Sequence, residues 1–182
     1  MRAAVVALGK VGLPLAAKLT LSGHHVAGCD IDGRVVSLVA AGEPPFPGEF
    51  GLAEALQAAV AGGLIETGTE TAAMIATHSP ELIVAVPPLY VDERAEPEWS
   101  ILDSVVEDIG RGLSEAVFDT PPVVAIETTV PVGSTRNRIS PALERASGLT
   151  EGKDFHTVFS PERVFSGRAL ADLDAYPKLI GG

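Results

Sequence analysis

Short apolar runs of strand length alternate along the chain with longer segments of helical period. This pattern predicts a parallel sheet covered by helices on both faces. Ala3-Ala4-Val5-Val6-Ala7-Leu8 reads as a buried strand, and Val11 to Ser22 as a helix whose Leu13, Ala16, Ala17 and Leu21 fall near one face. Pro14 lies in the first turn, where its missing N–H is tolerated, and Gly23 follows the helix end. His25 to Asp30 gives a second strand, and Arg34 to Ala41 a second helix closed by Gly42. A Gly- and Pro-rich loop, Glu43 to Gly51, has no role legible from its pattern and leads to a helix over Leu52 to Val60.

A short segment near Ile65 adds a strand, and a helix around Thr71 to Thr77 precedes the buried strand Leu82 to Val86, ended by Pro87-Pro88. The acidic stretch Asp92 to Glu98 reads as a loop and Ile101 to Leu113 as a helix. The strand Val123 to Ile126, the helix Thr135 to Arg145, the strand Phe155 to Phe159, a short helix near Ala169 to Leu173 and the apolar pair Leu179-Ile180 complete the chain. No repeat of solenoid period appears, and no linker divides the chain. The order is that of an α/β doubly wound, mainly parallel sheet. Such sheets bind ligands outside the carboxyl ends of their strands. That singles out Gly9 to Gly12, Asp30, Val86-Pro87, Glu127 to Pro131 and Ser160 to Arg163.

Composition narrows the partners. With 182 residues, 46% of them hydrophobic, the chain is sized for one core, so residues 1–182 count as one domain. Its 19 glycines and 14 prolines are scattered between apolar runs and form no low-complexity tract. A net charge of −11 with no Lys/Arg cluster argues against nucleic acid. The first apolar run is too short for a membrane span or a signal core, so no membrane partner is expected. The single cysteine, Cys29, cannot form an internal disulfide, which fits a cytoplasmic location. Cys29 reads as a small buried apolar residue. The four histidines lack metal-ligand spacing, and no metal is expected.

The chemistry-bearing residues follow the strands. Ala7-Leu8-Gly9-Lys10-Val11-Gly12 lies between the first strand and the first helix, the context that a dinucleotide fingerprint requires. Gly9 would let the backbone approach a pyrophosphate, Gly12 would let the helix pack against the strand, and the helix N-terminus would supply N–H donors. Ala7 replaces the usual first glycine, which is acceptable if its φ stays negative. Asp30 ends the second strand where an acid accepts from the adenosine ribose hydroxyls and repels a 2′-phosphate, which favours NAD over NADP; a solvated strand-end acid is the alternative. Lys10 either pairs with the pyrophosphate or extends into solvent. Glu127-Thr128-Thr129-Val130-Pro131 and Ser160-Pro161-Glu162-Arg163 place carboxylates and hydroxyls after consecutive strands, a reaction-site composition that competes with plain helix capping by Ser134 or Thr135.

With these residues in hand, the chain resembles the N-terminal domain of the UDP-glucose/GDP-mannose dehydrogenase family over its whole length. The resemblance is carried by Gly9 to Ala16, Gly28 to Asp32, Glu127 to Thr135, Ser160 to Val164 and Lys178 to Gly182. It implies a Rossmann-type NAD-binding domain and oxidation of a sugar CH₂OH to a carboxylate by two NAD⁺, through a cysteine-bound thiohemiacetal and thioester. It further implies that Glu162 is the acid/base carboxylate and that Thr129 helps hold the catalytic water. The cofactor is implied to contact Gly9, Lys10, Val11, Gly12, Asp30, Val86, Pro87, Thr128, Thr129 and Val130. Glu162, Arg163, Val164 and Ser166 would contact the UDP-sugar. Pro161 to Gly167 follows the P-E-R-V-x-x-G pattern of enzymes acting on UDP-N-acetylhexosamines, notably UDP-N-acetylmannosamine; those acting on UDP-glucose, the alternative substrate, tend to read P-E-F-L-x-E-G. Arg163 would then donate to a phosphate or an acetamide carbonyl, unless it makes an intradomain ion pair.

The sequence also departs from the family. Ala7 replaces a glycine, Lys10 stands where tyrosine is usual, Val86-Pro87-Pro88-Leu89 lacks the usual threonine, and the basic residue after the ribose acid falls one position early, at Arg34. The family's connecting helix and C-terminal sugar-binding domain, which carry the nucleophilic cysteine and its lysine, are expected to be absent from residues 1–182. Cys29 sits on the wrong strand to replace that cysteine, so the isolated chain is expected to be inactive. Family members pair as homodimers or larger assemblies through those absent parts. The competing reading is a stand-alone module that binds NAD or a nucleotide sugar without chemistry.

Overall fold

A computed structural model describes residues 1–182. The strands are β1 (Arg2–Val6), β2 (His25–Cys29), β3 (Ile65–Gly68), β4 (Leu82–Ala85), β5 (Tyr90–Val91), β6 (Pro97–Glu98), β7 (Val123–Ile126) and β8 (His156–Phe159). The helices are α1 (Gly12–Leu21), α2 (Gly33–Ala40), α3 (Leu52–Ala61), α4 (Thr71–His78), α5 (Ser100–Glu115), α6 (Ser140–Ser147) and α7 (Ala169–Ala175). Six strands form one parallel sheet in the order β3-β2-β1-β4-β7-β8. The chain winds outward from β1 through β2 to β3, then crosses to β4 on the other side of β1. This reversal opens a crevice at the carboxyl ends of β1 and β4, where doubly wound folds bind nucleotides.

The sheet is parallel because its strands are apolar on both faces and each face has a helical cover. On one face Val6, Cys29, Ile83 and Ile126 pack with Ile75 of α4, Leu102, Val106 and Ile109 of α5, and Leu143 of α6. On the other, Val5, Val26 and Val84 pack with Leu13 and Ala17 of α1, Val39 of α2, and Leu52 and Leu56 of α3. No helix is long and apolar enough to cross a membrane.

Three expectations change. Residues 92–98 are not all loop: Tyr90 and Val91 pair antiparallel with Glu98 and Pro97 in a small hairpin. Its turn is held by Asp92, whose Oδ1 accepts from the N–H groups of Arg94 and Glu96 at 2.8 and 2.9 Å, an aspartate turn inside what reads as an acidic loop. The helix expected from Thr135 opens with a π-helical turn, Thr135–Ile139, before α6. Arg138 in that turn lies over the Trp99 ring at 4.4 Å and pairs with Asp103. The first strand ends at Val6, because Ala7 turns out of the sheet.

Candidate functional site

The turn after β1 is shaped by one close approach. A Cβ on Gly12 would stand 2.1 Å from the Ala7 carbonyl oxygen, so only glycine lets α1 start where it does. Ala7 adopts φ +76°, contrary to the negative φ its side chain favours. Its N–H still donates to the Cys29 carbonyl at 2.8 Å, so the sheet's hydrogen bonding continues while the chain turns. The N–H groups of Gly9, Lys10 and Val11 take no hydrogen bond within the chain. A Cβ on Gly9 would meet nothing within 4 Å. Free donors, an open approach and a helix N-terminus together suit a pyrophosphate.

Asp30 is half-buried and structured, unlike a freely solvated strand-end acid. Its Oδ2 accepts from the Leu8 N–H at 2.8 Å and its Oδ1 from the Asp32 N–H at 2.9 Å. Asp32 in turn caps α2 by accepting from the Arg34 N–H at 2.8 Å. Each Asp30 oxygen keeps a lone pair for a hydroxyl donor. Ile31, beside it, is 96% exposed, an apolar side chain presented at the crevice rim. Lys10 and Arg34 are exposed and make no ion pair.

Across the crevice, the Val86 N–H donates to the Val6 carbonyl at 3.0 Å and the Thr128 hydroxyl donates to the Pro87 carbonyl at 2.6 Å. Val86, Pro87 and Thr128 are thereby brought together at the ends of β4 and β7. Thr129 is exposed and Val130 half-buried beside them.

A charge cluster closes this edge. The Lys178 ammonium bridges Glu127 Oε1 and Glu162 Oε2. The Glu127 side chain is 2% exposed, and its Oε2 has no hydrogen-bond partner. Burial pushes the Glu127 carboxyl up from 4.5 to about 6; Lys178 opposes the rise and Glu162 adds to it.

Beyond Glu162, Arg163 makes no ion pair: its guanidinium donates to the Pro177 carbonyl at 2.8 Å. Val164 is half-buried and Ser166 exposed. This strip is clamped on both sides. The Phe165 N–H donates to Asp172 Oδ2 at 2.9 Å, and the Asp172 carboxyl is held below its usual range by that bond and by Arg168. The Gly167 N–H donates to Glu49 Oε2 at 2.8 Å, and the Leu170 N–H to Glu49 Oε1 at 3.4 Å. The 43–51 loop, without a role in the sequence pattern, thus buttresses the strip.

The sequence places Glu127 in a reaction-site motif without giving it a role, has Lys178 and Ile31 only within segments that carry the family resemblance, and does not single out Glu49. Glu127 and Lys178 stood inside motifs already singled out, but their pairing across 51 positions has no signal in one sequence. No group of His, Cys, Asp and Glu is arranged to hold a metal ion. A cavity of about 750 Å³ lies on the outer edge, between β8 and the helix after β7, lined by Arg136, Asn137, Glu144 and Thr157; of the strand-end positions singled out above it touches Val130 and Pro131.

The sequence profile of the UDP-glucose/GDP-mannose dehydrogenase family, NAD binding domain, matches residues 1–182. The chain is 31% identical over 182 residues to UDP-N-acetyl-D-mannosamine dehydrogenase of Pyrococcus horikoshii, covering 100% of this chain and 41% of that protein. It is 32% identical over 183 residues to GDP-mannose 6-dehydrogenase of Pseudomonas syringae pv. tomato, covering 100% and 40%. Among solved structures, a ternary complex of GDP-mannose dehydrogenase from Pseudomonas aeruginosa superposes with a TM-score of 0.91 at 26% identity, covering 100% of this chain and 41% of that one. UDP-D-ManNAc dehydrogenase from Pyrococcus horikoshii gives 0.83 at 28%, covering 95% and 39%. The chain spans about two fifths of the length of these relatives.

Proposed function

The chain belongs to the UDP-glucose/GDP-mannose dehydrogenase family as its NAD binding domain, and from that premise we propose that it holds NAD⁺ for the oxidation of a UDP-N-acetylhexosamine at C6. The observation that carries the cofactor reading is the single unit formed by Asp30, Leu8 and the free N–H groups of Gly9, Lys10 and Val11. It offers a ribose acceptor and a pyrophosphate cradle on one rim. NAD⁺, when bound, supplies the hydride acceptor. Gly12 sets the cradle's shape, and Asp30 accepts from the ribose hydroxyls. Val86, Pro87 and Thr128 wall the crevice, and Thr129 and Val130 follow in the chain as further cofactor contacts.

In this reading Glu162 is the group that exchanges a proton with the sugar, and Thr129, exposed after the end of β7, holds the water that enters the second oxidation. Cys29 has no part: it lies fully buried on β2, and burial pushes its thiol up to about 12. The nucleophile of the proposed reaction is therefore not Cys29, and these residues supply the cofactor side of the site.

Overall identity does not separate the substrates, since UDP- and GDP-sugar enzymes match at 31% and 32%. The choice rests on the strip. Arg163 makes no ion pair, Ser166 replaces a second carboxylate, and the guanidinium keeps donors for a phosphate or an acetamide carbonyl. Steady-state kinetics on the complete polypeptide carrying this chain are expected to favour UDP-N-acetylmannosamine over UDP-glucose by about tenfold or more in kcat/KM, about 1.4 kcal/mol in the transition state. A preference for UDP-glucose would defeat the substrate assignment and leave the cofactor assignment standing.

A further inference from the structure

Residues 160–168 run without helix or strand, and Glu162 stands among them with a side chain 12% exposed. The one local hold on this carboxylate is the adjacent Arg163 N–H, which donates to Oε1 at 3.2 Å. A charged hold comes from a distant stretch of chain. Lys178 reaches Glu162 and is itself held by Glu127, which follows β7 and whose N–H donates to the Ala85 carbonyl at 3.0 Å. Three residues after Lys178, the Gly181 N–H and carbonyl exchange hydrogen bonds with Phe159 at 2.8 and 2.7 Å, tying this stretch to the end of β8. The Arg163 bond to Pro177 stitches the same two segments beside the bridge.

Glu127 makes little sense as a packing residue. One of its oxygens is buried without a partner, and an apolar side chain there would avoid both that loss and the desolvation of the ion pair. The cost is explained if the buried charge serves to place another.

We propose that Lys178 is a positioning residue for Glu162, its ammonium anchored by buried Glu127 and gripping Glu162 Oε2 so that Oε1 is left to exchange a proton. Glu162 Oε1 has one partner in the chain, the Arg163 N–H at 3.2 Å. The tether transfers no proton itself. This inference rests on the acid/base reading of Glu162 given above, and its test keeps the two apart.

The tether is read first on this chain, from side-chain ¹³C relaxation of the Glu162 methylenes. Lys178→Met is expected to lower their order parameters, and Lys178→Arg to restore them; no change in Lys178→Met overturns the proposal. Its consequence is read on the complete polypeptide. Lys178→Met is expected to lower kcat by about 10- to 100-fold, the scale set by misplacing a reacting group by about 1 Å, with KM for both substrates moved less than about threefold. Lys178→Arg should recover most of the loss. Glu127→Gln, which keeps the Lys178–Glu162 pair but removes its anchor, should lower kcat by about 3- to 10-fold and gives the same reading if Lys178→Met does not fold. An unchanged kcat, a pure KM effect or failure of the arginine rescue overturns the proposal. Full activity in Glu162→Gln would instead remove the acid/base role while the relaxation result still reported on the tether.

Discussion

The Leu8 N–H donates to Asp30 Oδ2 across 2.8 Å, joining the turn after β1 to the end of β2. Asp30 thus holds the turn in addition to the ribose role proposed for it, and its removal has two expected effects. Asp30→Ala leaves the N–H groups of Leu8 and Asp32 without partners and should destabilise the chain by about 1–3 kcal/mol in urea unfolding. Asp30→Asn keeps an acceptor and should lose less. Equal stability of wild type and Asp30→Ala would mean that these bonds do not hold the turn.

Ala7 and Gly12 form a second coupled pair. Gly12→Ala drives a Cβ into the Ala7 carbonyl, backbone that cannot step aside, and should cost more than about 2 kcal/mol, with a fall in Tm of several degrees. Ala7→Gly relieves a left-handed alanine and should gain about 1 kcal/mol. A destabilising Ala7→Gly would show that the methyl group's packing outweighs the strain.

Glu127 gives the fold a pH dependence of known sign. Its carboxyl is raised on folding from 4.5 to about 6, so the native state holds the proton more tightly than the unfolded chain does. The favourable contribution is full below about pH 4.5 and is lost as pH rises through about 6, an effect of about 2 kcal/mol. The difference in unfolding free energy between wild type and Glu127→Gln should therefore change with pH across this window. A flat difference would show that Lys178 fully offsets burial.

Cys29 should resist iodoacetamide in the native chain at pH 8 and react once the chain unfolds, because burial suppresses its thiolate. The isolated chain should form no NADH from a UDP-sugar. NADH formation abolished by Cys29→Ser would overturn the assignment of the nucleophile to a region outside residues 1–182.

The sheet was legible because apolar runs such as Leu82 to Val86 and the glycine turn at Gly9 to Gly12 are local signals. The strand-end position of Asp30 was legible for the same reason, whereas its bonds to the Leu8 and Asp32 N–H groups were not. The positive φ of Ala7 was not, since it arises from how the turn must clear α1 and not from alanine's own preference. Nor was the 92–98 hairpin, whose two-residue strands are shorter than any periodicity can report. Glu127, Glu49 and Lys178 act through partners 51 or more positions away, Glu49 on Gly167 and Lys178 on Glu127, contacts that exist only after the sheet has assembled.

Calorimetric titration of this chain with NAD⁺ and NADP⁺, in wild type and Asp30→Asn, tests the central claim most directly. A 2′-phosphate would face the Asp30 carboxylate at hydrogen-bond range, with Arg34 and Lys10 exposed and holding no ion pair with it. NAD⁺ is expected to bind about tenfold or more tightly than NADP⁺, and Asp30→Asn to narrow that gap. Equal affinity for both, or a gap unchanged by Asp30→Asn, would contradict the account.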